Sequence, residues 1–400
     1  MNYQTISVYY KKEKVGALSW EKDEQFSTFQ YEPKFIDKGV ELAPLQMPLR
    51  KAPYQFANLD ESFGGVPGLF ADCLPDAFGN ALIDEWLRSQ EKSISDFSPL
   101  DRLCYIGNRG MGALEFKPAL RDLNSNADKL EVGNLVELAN KALSIKVGLS
   151  TNLNTPEGFN DILRVGTSAG GARAKGIIAW NEKTNEILSG QANAPRGFKH
   201  YILKFDGVDA SFEGVSDPQG YCRIEYAYYL MAIEAGIKMQ KSSLYEEHNR
   251  AHFITQRFDR KGSGEKVHYS SFFGMSHKSY ASPSSHSHSY EDLFETIDRL
   301  KLSQSDKIQM FKRMVFNILS VNHDDHVKNF GFLFKGGNWT LSPAFDVTYS
   351  FNPKPGKWTA RHQLSIMGKR EGFNIYDFIK LGRNFSVATE HRLKKIINNV

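Results

Sequence analysis

The sequence predicts an α+β protein, in which a small β-rich N-terminal domain precedes a two-lobed core with a largely helical C-terminal lobe. The chain of 400 residues is longer than one ordinary domain. Its beginning alternates apolar and polar side chains, a pattern typical of half-buried strands. Towards the C-terminus apolar residues recur at helical spacing, most clearly from Phe311 to Leu319.

The N-terminal domain is expected over residues 1–115. Alternation over residues 6–10, 15–19 and 29–31 predicts an antiparallel meander. From Pro75 onward the period changes, and a helix is expected with this apolar stripe: Phe78, Leu82 and Trp86. The glycine-rich stretch 104–112 is typical of a tight loop.

The first lobe of the core is expected over residues 150–260 and the second over 261–400. In the first lobe, residues 176–180, 199–205 and 253–258 have the composition of strands. A helix is expected at 219–235. Its expected apolar side consists of Cys222, Tyr226, Tyr229, Leu230 and Ile233.

Composition excludes several classes of protein. The formal charge of +4 is spread over the whole chain without a dense basic block, which gives no indication of direct nucleic-acid binding. The three cysteines are far apart and form no CxxC pair, as expected for buried thiols in a reducing compartment. The N-terminus lacks the pattern of a signal peptide, and no apolar run is long enough to span a bilayer. We therefore expect a cytoplasmic protein without membrane contact.

The most informative stretch is Asn322–Asn329, which follows the apolar helix and gathers acids, histidines, a lysine and an asparagine. A second aspartate, Asp346, follows the phrase Leu341-Ser342-Pro343. Phosphoryl transfer needs an aspartate that orients the nucleophilic hydroxyl, and an asparagine and a further aspartate that hold metal. Asp324, Asn329 and Asp346 supply these three groups.

Two features upstream suit a nucleotide. The phrase 165–175 is rich in glycine and could offer backbone N–H groups to phosphate oxygens, although it matches neither GxxxxGK[ST] nor GxGxxG. Lys204 lies in an otherwise apolar strand and could pair with the phosphates, steadied by Glu225 or Glu234 of the following helix. Ser168, a hydroxyl beside the glycines, could be modified by the protein itself.

The order of these parts resembles the HipA family of bacterial serine/threonine kinases, the toxins of HipA–HipB pairs. The signature Asn322-x-Asp324-Asp325-His326-x-Lys328-Asn329 carries the resemblance, and its usual companion is Leu341-Ser342-Pro343-Ala344-Phe345-Asp346. The phrase Leu74-Pro75-Asp76-Ala77-Phe78-Gly79 is similar to the family's N-terminal domain. The resemblance covers nearly the whole chain and implies a protein-kinase-like bilobal core.

The resemblance also implies roles for individual residues. Asp324 would be the catalytic base, Asn329 and Asp346 would hold Mg²⁺, and Ser168 would be the autophosphorylated serine that inactivates family members. The residues implied in ATP binding are Gly170, Gly171, Ala172, Arg173, Ala174, Lys175, Lys204, Gln256, Arg257, Phe258, His326, Val327, Lys328, Asn329, Phe345 and Asp346. Arg173, Ala174, Gln256 and Phe345 depart from the residues usual at their positions in the family.

Partners follow from the same resemblance. It implies a HipB-like DNA-binding antitoxin, operator DNA bound indirectly through that antitoxin, and a translation factor such as glutamyl-tRNA synthetase as the phosphorylated protein. Growth arrest and persistence would follow. Two alternatives stay open: a metal phosphohydrolase, because His323-Asp324 also has the form of a His-Asp metal dyad, and a catalytically idle partner of the antitoxin.

Overall fold

The computed structural model describes residues 3–120, 132–146, 166, 173–190, 194–208, 219–262, 264–280, 288–352, 354 and 358–400. These residues form a β-rich N-terminal domain, a sheet-based lobe and a mainly helical lobe. The predicted α+β fold class is confirmed.

The N-terminal domain is built on an antiparallel sheet with the strand order β4-β3-β2-β1-β5. The predicted meander is its centre, because alternating residues such as Ile6 and Val8 are buried under one face. The strands are β1 (Thr5–Tyr10), β2 (Glu13–Glu21), β3 (Phe26–Tyr31), β4 (Tyr54–Gln55) and β5 (Leu114–Lys117).

The helices of this domain are α1 (Pro33–Ile36), α2 (Gly68–Ala71), α3 (Ala77–Ser89) and α4 (Pro99–Ile106), and a 3-10 turn lies at Glu61–Phe63. Asp76 caps α3, and of its predicted stripe Phe78 and Leu82 are buried whereas Trp86 is half-buried. The prediction of a loop at 104–112 is wrong for its first residues. Cys104 and Ile106 are the buried last turn of α4, which a capping box at Ser98 begins.

The first lobe of the core contains a second sheet, with the order β7-β6-β8-β10-β9. Its strands are β6 (Lys175–Asn181), β7 (Glu186–Ser189), β8 (Lys199–Lys204), β9 (Ser242–Glu247) and β10 (Arg250–Gln256). Helices α5 (Val132–Lys146) and α6 (Tyr221–Glu234) belong to this region.

The apolar side predicted for α6 is wrong in part. Leu230 and Ile233 are exposed, whereas Cys222 of the predicted side is buried together with Glu225 and Ala232. Apolar residues occur almost all round this helix, so their spacing does not reveal which side is buried. The side that packs inward is the one that brings Glu225 to the end of β8.

The second lobe combines a three-stranded sheet with helices. The strands are β13 (His268–Ser271), β14 (Gly331–Lys335) and β15 (Asn338–Leu341), preceded by the hairpin β11 (Arg260–Lys261) and β12 (Glu265–Lys266). The helices are α7 (Phe272–Ser276), α8 (Tyr290–Arg299), α9 (Gln304–Leu319), α10 (Ile375–Asn384) and α11 (Glu390–Asn399). Two 3-10 turns are at Val327–Asn329 and Trp358–Ala360.

The N-terminal domain packs on the second lobe, and one hydrophobic cluster extends from β1 to α11. Polar contacts reinforce this boundary: the Leu42 carbonyl is 3.1 Å from Nε2 of His268, and Asp72 accepts a 2.7 Å bond from the Ser271 N–H. All three cysteines are buried thiols, as predicted. Across the described ranges, no helix has the length and apolar character needed to cross a membrane.

Candidate active site

The loop Asn322–Asn329 begins where α9 ends and is fixed to its surroundings at both ends. Val321 adopts a left-handed conformation, with φ of 57°, which turns the chain away from the helix. Asn322 is buried and donates a 3.0 Å hydrogen bond to Asn317 of α9. At the other end, the amide of Asn329 donates to the Asp324 carbonyl at 2.7 Å. The loop therefore presents Asp324 from a rigid support.

Asp324 faces solvent with an oriented carboxylate. Its side chain is 38% exposed, and its Oδ1 lies 3.7 Å from Nε2 of His326. The indole N–H of Trp358 donates to the same oxygen at 2.8 Å. Within the described part of the chain no hydrogen bond to Oδ2 is found, so Oδ2 can accept a proton from a bound hydroxyl. Sequence reasoning missed Trp358, which no motif marks.

Asp325 has a different surrounding from Asp324, because it is buried beneath the loop. Its Oδ2 accepts hydrogen bonds from the Tyr290 hydroxyl at 2.8 Å and, with the tautomer assigned from this contact, from Nδ1 of His362 at 3.0 Å. Its Oδ1 accepts from the backbone N–H of Gln363 at 2.6 Å. Asp325 therefore supports the loop and joins α8 to the segment that carries Trp358.

Lys204, Glu225 and Asp346 meet between the two lobes. The Lys204 ammonium at the end of β8 donates to Glu225 at 2.6 Å and also to the Asp346 carboxylate. Their side chains are 11%, 3% and 31% exposed, respectively. Of the two helix acids considered from the sequence, the structure brings Glu225 to the lysine.

Burial and charge act against each other in this triad. Burial alone would lower the pKa of Lys204, but the charges of Asp346 and Glu225 outweigh it and raise that pKa above its ordinary value. Burial raises the pKa of Glu225 despite the lysine. Asp346 is closer to solvent, and there Lys204 outweighs burial and lowers the carboxyl pKa. Asp346 is thus the acid that stays ionised and available to a cation.

Asp346 and Asn329 line one cavity between the lobes, together with Phe345 and Asp325. Since the Asn329 NH₂ is bonded to the Asp324 carbonyl, its Oδ1 is the atom left to coordinate a cation. Mg²⁺ prefers oxygen ligands and is usually held by one or two carboxylates with water and substrate phosphates. The donor set therefore fits Mg²⁺, although the described residues contain no cluster of three or more His, Cys, Asp or Glu side chains.

The glycine-rich phrase is described only at its edges. Gly170, Gly171, Ala172 and the modification candidate Ser168 lie outside the described residues. Within the phrase, Gly166, Arg173, Ala174 and Lys175 are described. The Arg173 guanidinium stacks 3.8 Å above the Tyr221 ring, Ala174 is buried, and the Lys175 ammonium lies 3.1 Å from Asp76 of the N-terminal domain. Lys175 thus begins β6 as part of a buried ion pair.

Three residues implied in ATP binding, Gln256, Arg257 and Phe258, point in different directions. Gln256 ends β10, and its N–H donates to the Lys241 carbonyl at 3.0 Å. The guanidinium of Arg257 is buried against Asp259 at 2.7 and 2.8 Å and turns to the N-terminal domain. The Phe258 ring lies 5.5 Å from that of Phe345, which gives an aromatic wall next to Asp346.

The other residues that the resemblance implies in ATP binding also differ in whether their side chains point to the site. His326 accepts a 3.1 Å hydrogen bond from the Lys328 N–H and lies beside Asp324. Val327 is buried in the core. The Lys328 ammonium lies 4.6 Å from the centre of the Phe273 ring and 3.3 Å from the Tyr280 hydroxyl, so it points towards α7. Among these, His326 is the side chain that the structure brings to Asp324.

Comparison with known proteins agrees with this arrangement. The HipA-like C-terminal domain family matches residues 167–400, and the HipA N-terminal domain family matches residues 6–117. The chain resembles HipA in a Shewanella oneidensis complex of HipA, HipB and operator DNA, with a TM-score of 0.67 and 15% identity over 98% of this chain and 87% of that one. No curated protein matches the sequence.

Another solved structure is similar over half of the chain. The Helicobacter pylori proinflammatory kinase CtkA matches with a TM-score of 0.30 and 14% identity, over 50% of this chain and 86% of that one.

Proposed function

Because this chain belongs to the HipA family, we propose that it is an ATP-dependent protein serine/threonine kinase and the toxin of a toxin–antitoxin pair. The observation that carries the proposal is the meeting of Lys204, Glu225 and Asp346 beside the loop of Asp324 and Asn329. Phosphoryl transfer is mainly positioning and charge neutralisation, and these five residues supply both.

Each group has a defined task in this proposal. Lys204, kept cationic by the two carboxylates, turns its ammonium towards the ATP phosphates. Asp346 and Asn329 would hold Mg²⁺, which would supply neutralisation of phosphate charge. Asp324 orients the attacking serine or threonine hydroxyl through Oδ2, while Trp358 fixes Oδ1. Phe258 and Phe345 offer an apolar wall to the adenine ring.

The alternative of a His-Asp phosphohydrolase has less support. Such a site needs the histidine and aspartate on one metal ion. Nδ1 of His323 lies 3.0 Å from the Thr359 carbonyl and its ring stacks near His362, whereas the Asp324 carboxylate is turned to Trp358.

The proposed partners follow from the family. The likeness to a HipA bound with HipB and operator DNA supports a HipB-like antitoxin, and through it an indirect contact with DNA. We propose a translation factor, such as glutamyl-tRNA synthetase, as the protein substrate, with growth arrest and persistence as the result. Autophosphorylation of Ser168 would switch the activity off.

The direct test is mass spectrometry and transfer of labelled phosphate with purified wild type, Asp324→Ala and Asn329→Ala. The kinase predicts phosphate on Ser168 and on a lysate protein for the wild type, and loss of both in the two variants. A hydrolase would tolerate Asn329→Ala and would release inorganic phosphate. If the wild type neither carries nor transfers phosphate, the chain acts as an idle partner of the antitoxin and the kinase proposal is wrong.

A further inference from the structure

An acid of the N-terminal domain reaches the edge of the candidate ATP site. Oδ2 of Asp76 lies 3.1 Å from the Lys175 ammonium, and the two side chains are only 7% and 4% exposed. The other oxygen, Oδ1, accepts a 2.6 Å hydrogen bond from the Gly79 N–H and caps α3. One carboxylate thus starts a helix with one oxygen and holds a lysine with the other.

Helix α3 also supports the chain on both sides of the glycine-rich phrase. Ala174 packs in one hydrophobic cluster with Phe78 and Leu82. Near the start of the phrase, a Cβ added at Gly166 would lie 2.6 Å from Leu82 and 3.0 Å from Phe78, so this backbone packs closely on α3. The N-terminal domain therefore contacts the phrase at Gly166 and at Ala174.

Further charged side chains lie between this ion pair and the centre of the candidate site. Lys175 lies directly opposite Lys204 in the pairing of β6 with β8, and Lys204 donates to the Asp346 carboxylate. Charges of alternating sign thus follow one another from Asp76 through Lys175, Asp346 and Lys204 to Glu225. Lys175 is the one member held by an acid from outside the two-lobed core.

We propose that Asp76 is a positioning residue for ATP binding, because it holds the Lys175 ammonium at the edge of the phosphate site. A lysine side chain is long and flexible, and close to Asp346 it would otherwise pair with that carboxylate. Such a pair would add a second lysine to a carboxylate that Lys204 already contacts, so it would compete with Mg²⁺ for Asp346 and remove a cation from the phosphates. The N-terminal domain is thereby part of the ATP site. This inference rests on the proposed function.

Two variants of Asp76 separate its roles as cap and as counter-charge. Asn is as good an N-cap as Asp but carries no charge, whereas Glu keeps the charge and is not a preferred cap. Asp76→Asn should therefore keep the cap but leave the buried Lys175 ammonium without its counter-charge, so that both stability and ATP affinity fall, the affinity by roughly tenfold. Asp76→Glu should lose stability through the weaker cap and still bind ATP nearly as the wild type does. A purely structural role would make ATP affinity fall in Asp76→Glu as well, in step with its stability.

The measurements are ATP binding by calorimetry, with and without Mg²⁺, and thermal unfolding without ATP. Asp60→Asn is the matched control: Asp60 also caps a helical turn of the N-terminal domain, and no ion pair of Asp60 is found in the described part of the chain. This control should bind ATP as the wild type does.

A double-mutant cycle decides whether Asp76 acts through Lys175. In a Lys175→Met background, Asp76→Asn should cause no further loss of ATP affinity. The inference is overturned if Asp76→Asn binds ATP like the wild type, or if its effect adds in full to that of Lys175→Met. If the wild type itself binds no ATP, the proposed function fails and this inference with it. If the wild type and all variants bind ATP with the same affinity, this inference is wrong and the proposed function stands.

Discussion

Replacing Lys204 by Met should destabilise the fold and make its stability depend on pH. The substitution removes the ammonium that lies 2.6 Å from Glu225, and among the described residues the other oxygen of this buried carboxylate has no hydrogen-bond partner. Removing one partner of a buried ion pair costs about 3–5 kcal/mol. Asp346 faces the cleft and can be hydrated, so most of the cost comes from Glu225. We expect a loss of about 3 kcal/mol at neutral pH.

The pH dependence follows from the protonation of Glu225. Burial already raises the pKa of this carboxyl, and loss of Lys204 raises it further. Between the pKa of the unfolded chain and that of the folded protein, the folded state binds more protons, so stability falls as pH rises. Lys204→Met should therefore be closest to the wild type near pH 5 and furthest from it near pH 8.

Urea unfolding followed by circular dichroism at these two pH values measures the effect. The double variant Lys204→Met/Glu225→Gln should regain about 2 kcal/mol at the higher pH, since it no longer buries an unpaired charge. Lys199→Met is the control, because Lys199 is on the same strand but exposed, in a 3.8 Å pair with Glu182. Equal stability of the single and double variants would refute the reasoning.

Three further predictions concern residues around the site and the domain boundary. Trp358→Phe removes the hydrogen bond to Asp324 and should lower kcat about tenfold without changing ATP affinity, as steady-state kinetics would reveal. Asp325→Asn places an NH₂ against the donors Tyr290 and His362 and should cost about 2–4 kcal/mol in urea unfolding. Burial lowers the pKa of His268 to about 4, so the unfolded chain takes up a proton first. Stability should fall as pH drops from about 6.5 to 4, and less so in His268→Leu.

The sequence predicted the features that depend on neighbouring residues. Alternation revealed the N-terminal meander, because each of its strands buries one face. The loop from Asn322 to Asn329 was recognisable since its groups lie within one short stretch. The sequence also indicated Glu225 as one of two acids that could pair with Lys204, because a helix that follows a strand packs back on it.

Other features depend on contacts between distant parts of the chain. Trp358 reaches Asp324 from a turn far along the sequence, and Asp76 reaches Lys175 from another domain. Nothing in the local pattern distinguishes this tryptophan or this cap from ordinary surface and cap residues. The buried side of α6 could not be predicted either, because the packing partner, and not the helix, decides that Leu230 faces out and Glu225 faces in.

The segment between Asp72 and Asp76 suggests why the N-terminal domain accompanies the two-lobed core. Asp76 holds Lys175 in the first lobe. Asp72, in the same turn, accepts bonds from the Ser271 N–H at 2.7 Å and the Ser270 hydroxyl at 3.1 Å in β13 of the second lobe. One short stretch thus ties the C-terminal end of the glycine-rich phrase to the sheet next to the loop from Asn322 to Asn329. Because the proposed phosphoryl transfer depends on the spacing of these two parts, a movement of the N-terminal domain would change the candidate site directly.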